Sequence, residues 1–232
     1  MNSDGSRTRA ALLAEFLGTA LLVTAVVGSG IMATRLSPAD AGLRLLENSI
    51  ATGLALGALI LTFGPVSGAH FNPVVSAADW FLGRLPGRHL ALYATAQTTG
   101  AIGGAILANL MFGLPAITAS TTERTGGPRW LGEVVATSGL LLLIFALART
   151  GRAAAAPAAV GAYIGAAYWF TSSTSFANPA VTIGRAFTDT MAGIAPASVP
   201  GFVAAQIAGA VIGTGLLRAL YPQAVHSGKA VS

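Results

Sequence analysis

Apolar residues run along this chain in six long stretches, at roughly 11–33, 45–63, 89–112, 129–149, 153–171 and 201–220, with most of the charge confined to the segments between them. A helix needs about 20 apolar residues to cross a hydrocarbon core about 30 Å thick, so each stretch predicts a transmembrane span. The first begins at Ala11, lacks a cleavage site and is too long for a signal peptide, so it counts as a span. The fifth contains "GRAAAAPAAVGAYIG", which reads as low complexity, yet Gly161 and Gly165 form a small-residue face and "YWF" at 168–170 supplies interfacial aromatics.

Two further segments break the pattern: "HFNPVVSAAD" from His70 and "SFANPAVTIG" from Ser175. From Pro73 to Leu82 a helix extends only about 15 Å, half the hydrocarbon thickness. Asn suits an N-cap because its side chain accepts from an orphan backbone N–H, and Pro suits the first helical position because it has no N–H to leave unpaired. Each Asn-Pro therefore predicts the start of a half-helix that enters the membrane and stops near its middle.

The chain also repeats itself. Glu15, Asn72 and Gln97 in the first half are echoed by Glu133, Asn178 and Gln206 in the second. Each half holds three spans, an odd number, so the second copy lies upside down relative to the first, an inverted repeat. The half-helices then enter from opposite faces, and their positive dipole ends and Asn side chains converge at the midplane. Irregular backbone is tolerated at that depth only where it is buried in protein or lines a watery cavity.

Composition agrees. The 232 residues are 53% hydrophobic and only 9% charged, and mean hydropathy is +0.69, outside the range of soluble domains. The absence of cysteine excludes disulfides and thiolate metal sites. The net charge of +5 comes largely from loop residues. Arg7, Arg9, Arg84, Arg88, Arg149, Arg152, Arg218 and Lys229 share the face of the two termini, against Arg35, Arg44, Arg124, Arg129 and Arg185 opposite, so the positive-inside rule places both termini in the cytoplasm.

Two Asn amides and a ladder of loop carbonyls at the crossing offer hydrogen bonds to a small neutral solute, while the converging dipoles repel cations. This describes a passive pore; a purely structural crossing is the alternative. Buried Glu15 and Glu133 leave a proton-coupled carrier open, although equivalent positions in two repeats favour a bracing role. An enzyme would need a nucleophile and base, such as Ser175 or Ser76 with His70, and no supporting motif accompanies them. His70 has no second ligand close in sequence, so no metal and no cofactor is expected.

In this order over nearly the whole chain, "AEFLGT", "SGAHFNPVVS", "AQTTGA", "FANPAV" and "AAQIAGA" resemble the major intrinsic protein family of aquaporins and aquaglyceroporins. The resemblance implies an all-α membrane fold with six transmembrane helices and two re-entrant half-helices, assembled as a homotetramer with one pore per protomer. It implies that Asn72, Pro73 and Val74, with Asn178, Pro179 and Ala180, form the paired pore motifs. It further implies that Glu15 and Glu133 brace the loops together with Gln97 and Gln206. Backbone carbonyls of Gly68, Ala69 and His70, and of Thr174, Ser175 and Phe176, are implied as pore lining.

Carried over by distance from the Asn-Pro motifs, the selectivity filter falls on Thr52, Ala166, Ser175 and Val181. In water-selective members this ring holds an aromatic, a histidine and an arginine; here it holds none of them, which predicts a wide, uncharged opening. Arg185, one helical turn beyond Val181, is a candidate guard of the outer vestibule, unless it pairs with Asp189. Val181 in "NPAVTIGRAF" resembles the AqpS-type aquaglyceroporins of bacterial arsenic resistance, which implies arsenite and methylated arsenicals as cargo. A channel for glycerol, urea or water remains the alternative.

The expected organisation is a disordered cytoplasmic tail over 1–10, a channel domain over 11–221 with repeats at about 11–112 and 129–221, and a second tail over 222–232. The expected setting is the bacterial inner membrane, with lipids and small neutral solutes as partners and no nucleic acid. The pairs Gly53/Gly57, Gly161/Gly165 and Gly209/Gly213, with Gly100/Gly104, predict helix crossings inside one protomer.

Overall fold

A computed structural model describes residues 3–222 as an all-helical bundle. The long helices are α1 (Ser3–Leu36), α2 (Ala41–Ser67), α4 (Gly87–Met111), α5 (Gly127–Arg149), α6 (Ala156–Phe170) and α8 (Val199–Leu220), and two short ones, α3 (Pro73–Phe81) and α7 (Pro179–Gly184), follow the Asn-Pro pairs. All six predicted spans are present. The tail over 222–232 lies outside the described residues except for its first. The tail over 1–10 is not irregular: α1 begins at Ser3, because extending an established helix costs far less than nucleating one.

Five of the long helices are apolar enough to cross a membrane by composition alone. The sixth, α4, has the length, at 25 residues. Its polar Gln97 and Asn109 are 0% and 1% exposed, turned into the bundle rather than toward its outer surface.

The repeats are visible in packing. α1 packs on α4 as α5 packs on α8, and each pair closes over glycines: a Cβ at Gly209 would lie 2.7 Å from the Val134 carbonyl oxygen, and Gly100 and Gly104 meet the backbone of Phe16 and Ala20 in the same way. Across the other seam, α2 meets α6, where a Cβ at Gly53 would stand 2.7 Å from the Gly161 oxygen. These small-residue pairs bring helices close without any hydrophobic drive between them. As expected from the sequence, they serve crossings within one chain.

Both half-helices start as their sequences predict. Asn72 and Asn178 are extended (φ −152° and −156°), accept from the backbone N–H of Val74 and of Ala180 and Val181 respectively, and are followed by Pro at the first helical position. Their ends differ. α3 runs nine residues, whereas α7 stops after six and gives way to a 3₁₀ turn over Arg185–Phe187. At this point Gly184 sits so close to α4 that a Cβ would be 2.7 Å from the Ala101 backbone, and the loop after α4 binds the departing chain through Thr118 N to Phe187 O and Ser120 N to Ala186 O.

Candidate functional site

The half-helices meet at their N-termini through a reciprocal pair of bonds. Asn72 Nδ2 donates to Ala177 O and Asn178 Nδ2 donates to Phe71 O, each at 2.7 Å. Each amide nitrogen carries two hydrogens, so one holds the crossing and one remains for a solute. Both asparagines line a central cavity of about 350 Å³.

The backbone before each Asn is held in a conformation it would not adopt alone. Ala69 and Phe71 (φ 50° and 51°) and Thr174, Ser175 and Ala177 (φ 61°, 50° and 49°) are all left-handed without being glycine, which is costly and persists only where the surroundings over-determine it. Glu15 supplies the restraint in the first loop: its carboxylate accepts from His70 N at 3.0 Å, Phe71 N at 2.7 Å, Ser67 Oγ at 2.6 Å and Gln97 Nε2 at 2.7 Å. Glu133 mirrors it, accepting from Phe176 N at 2.9 Å, Ala177 N at 2.8 Å and Gln206 Nε2 at 2.6 Å. The glutamines extend the symmetry, donating also to Ser76 Oγ and Thr182 Oγ1. Both carboxylates are fully buried and face backbone amides rather than the cavity.

Stripes of side chains from four helices close the rest of the wall: Leu22 and Val26 of α1, Thr52, Leu56 and Ile60 of α2, Leu140 and Ile144 of α5, and Val160, Ile164 and Tyr168 of α6. In each helix these positions recur at intervals of four residues, as one helical face requires. The cavity is therefore aliphatic on the side of the long helices and polar along the two loops.

Three of the four filter residues expected from the sequence reach this cavity. Thr52, Ser175 and Val181 are 2%, 3% and 5% exposed and line it together. Ala166 does not: it is exposed on the outside of α6. The face of α6 turned inward passes through Val160, Ile164 and Tyr168, and a residue two positions from that stripe is rotated by about 200°. Tyr168 takes the place assigned to Ala166, and its hydroxyl donates to Thr52 Oγ1 at 3.2 Å. The cavity lining on the α6 side therefore includes an aromatic, where the sequence implied none.

The remaining predicted residues are distributed as follows. Gly68, Ala69, His70, Ser175 and Phe176 border the central cavity, while Thr174 borders a second pocket on the face opposite the termini. Val74 is buried beside the crossing and away from the cavity, which is lined instead by Val75. His70 places Nδ1 3.0 Å from Ser76 Oγ and Nε2 3.7 Å from Asp79. Ser76 is 0% exposed and already donates to Asn72 O and accepts from Gln97, an arrangement that braces the loop. Among the described residues no three metal-binding side chains cluster.

Arg185 does not pair with Asp189, which accepts from Thr121 N and Oγ1 instead. The 3₁₀ turn that ends α7 directs Arg185 inward: its guanidinium lies 3.4 Å from the centroid of the Phe176 ring and its Nε donates to Ala192 O. It is 2% exposed and lines both the central cavity and the pocket beyond it. Tyr168, expected as an interfacial aromatic, and Phe176, expected only for its backbone carbonyl, are instead both buried rings, at 3% and 4% exposure.

Residues 3–177 match the family described as Major intrinsic protein. The chain is 54% identical to aquaglyceroporin AqpS of Rhizobium meliloti (strain 1021), over 89% of this chain and 88% of that one. It is 33% identical to the glycerol uptake facilitator protein of Pseudomonas aeruginosa, over 94% and 91%. Among solved structures, the aquaglyceroporin from Plasmodium falciparum superposes with a TM-score of 0.71 at 20% identity, covering 94% of this chain and 97% of that one, a likeness of fold.

Proposed function

This chain belongs to the major intrinsic protein family, and from that premise we propose that it passively conducts small uncharged polyhydroxy solutes through its central cavity, with arsenite as neutral As(OH)3 the favoured cargo. The observation that carries the reading is the set of polar atoms left over at the narrow part of the cavity. Ser175 Oγ is buried with no partner among the described residues, and each of Asn72 and Asn178 keeps one amide hydrogen unspent. A solute with several hydroxyls pairs with these on one side while its body rests against Leu56, Ile164 and Val181 on the other.

Exclusion of cations follows from the two converging helix N-termini, which present positive partial charge at the crossing; aquaporin-type selectivity is the general case from which this reasoning is taken. Val181 supports passage of solutes larger than water, because the position after the second motif carries no charged side chain. Thr52, Tyr168, Ser175 and Val181 set the width, and Arg185 guards the mouth beyond them. Similarity to an aquaglyceroporin supports a small neutral hydroxy solute, of which As(OH)3 is one, and similarity to a glycerol uptake facilitator supports glycerol as a second.

A proton-coupled carrier using Glu15 and Glu133 is disfavoured, because both carboxylates are occupied by loop amides that must be held for the half-helices to stand. The setting we propose is a bacterial inner membrane, with both termini cytoplasmic and four copies assembled, each with its own pore.

The test is uptake by proteoliposomes: stopped-flow light scattering under water, glycerol and urea gradients, with arsenite entry measured in parallel. Passage of glycerol and arsenite without a proton gradient supports the reading. Passage of water alone rejects it.

A further inference from the structure

Beyond the filter, on the face opposite the termini, three arginines from distant parts of the chain converge on one pocket. Arg44 comes from α2, Arg124 from the loop after α4, and Arg185 from the end of α7. The guanidinium carbons of Arg185 and Arg124 lie 3.4 Å and 5.2 Å from the centroid of the same Phe176 ring, which puts the two charges within about 9 Å, close to the Debye length of about 8 Å at physiological salt.

No carboxylate lines this pocket. The acidic residues nearest in the chain stay out of the lining: Asp40 accepts from Leu43 N, Glu47 through one oxygen from Ser37 Oγ at 2.8 Å and Asp189 from Thr121, while Glu123, next to Arg124, does not line the pocket. Arg124 spends Nε on Gly193 O and one terminal nitrogen on Met191 O, both neutral. Among the described residues the terminal nitrogens of Arg185 have no partner, and the buried Nε of Arg44 has none either. Like charges gathered in a partly desolvated site repel one another and retain unspent donors, and an anion relieves both conditions. Guanidinium groups present their donors in a planar fork that fits paired oxygens rather than a spherical ion.

We propose that this outer pocket is a binding site for a small oxyanion, a carboxylate or a tetrahedral oxyacid, held by Arg185, Arg124 and Arg44 above the filter. The proposal rests on the channel reading only in taking the pocket as the pore's outer mouth. It adds a second chemical class to the solutes this protein meets: charged oxyacids collect at the entrance, while neutral hydroxy compounds proceed to the crossing.

The experiment is isothermal titration of the full-length protein in detergent with acetate and with inorganic phosphate, using acetamide as the neutral counterpart of acetate. Saturable binding of at least one anion, none of acetamide, and weakening with added salt are expected. Arg44→Gln, which removes a side chain with no hydrogen bond among the described residues, is expected to weaken binding about fivefold, and Arg185→Gln about tenfold or more, the latter as loss of a charged hydrogen bond predicts. Absence of saturable binding to both anions overturns the proposal, as does equal affinity in wild type and Arg44→Gln. Glycerol flux through the same preparation separates the two readings: flux without anion binding overturns only this site, and binding without flux overturns only the channel.

Discussion

The hydroxyl of Tyr168 donates to Thr52 Oγ1 at 3.2 Å, joining α6 to α2 at the cavity wall. Both side chains are nearly inaccessible from outside, at 3% and 2% exposure, yet both face the cavity. The bond ties the aromatic ring to the wall and thereby sets how much of the opening it occupies.

Replacing Tyr168 with Ala is therefore expected to widen the pore. Flux of a four- or five-carbon polyol should rise about tenfold relative to glycerol, equivalent to lowering its barrier by about 1.4 kcal/mol. Tyr168→Phe keeps the ring and should change this ratio much less. Stopped-flow scattering with a series of polyols gives both ratios, and identical ratios in Tyr168→Ala and wild type would remove Tyr168 from the constriction.

Val181→Arg places a long charged side chain on the other side of the same opening, one turn before Arg185. Glycerol and arsenite permeability are expected to fall about tenfold or more while water continues to pass. Unchanged glycerol flux in this variant locates the narrowest point somewhere other than Val181.

Glu133→Gln tests the brace. A neutral amide has one accepting oxygen where the carboxylate has two: an NH2 in place of Oε1 leaves Phe176 N without its partner, and one in place of Oε2 leaves both Ala177 N and Gln206 Nε2 without theirs. A loss of about 1.5–3 kcal/mol is expected for one charge-assisted bond. Thermal unfolding in detergent should show a lower midpoint, with a parallel loss of flux as the loop departs from its left-handed conformation. An unaltered midpoint would argue that the loop is held by other contacts.

Gly53→Ala tests the α2–α6 seam. The added Cβ would stand 2.7 Å from the Gly161 oxygen, a backbone atom that no side-chain rotation can withdraw. The helices must separate, at a cost of about 1–3 kcal/mol. Gly64→Ala is the control, because a Cβ there meets nothing within 4 Å. The expected result is a lower unfolding midpoint for Gly53→Ala alone; equal midpoints would mean that the seam yields freely.

The six spans, the two half-helix starts and the inverted order of the repeats were all legible in the linear chain. Each of these depends on a local rule: a stretch either is or is not long enough to span, and Asn-Pro caps a helix wherever it begins one. Which face of α6 looks into the cavity, and where Arg185 points, were settled by packing. Distance along the chain selected Ala166, but the turn between α6 and Asn178 has no fixed length, and an error of two residues rotates a helical position to the opposite face. The burial of Arg185 was beyond local rules for a similar reason: α7 ends early because Gly184 seats against α4 and the loop from α4 binds the chain that follows. Arg124 reaches Phe176 from a loop some fifty residues away in sequence, and no spacing announces it. Periodicity and caps are written in neighbouring residues, whereas the direction a side chain faces is settled by what the rest of the chain packs against it.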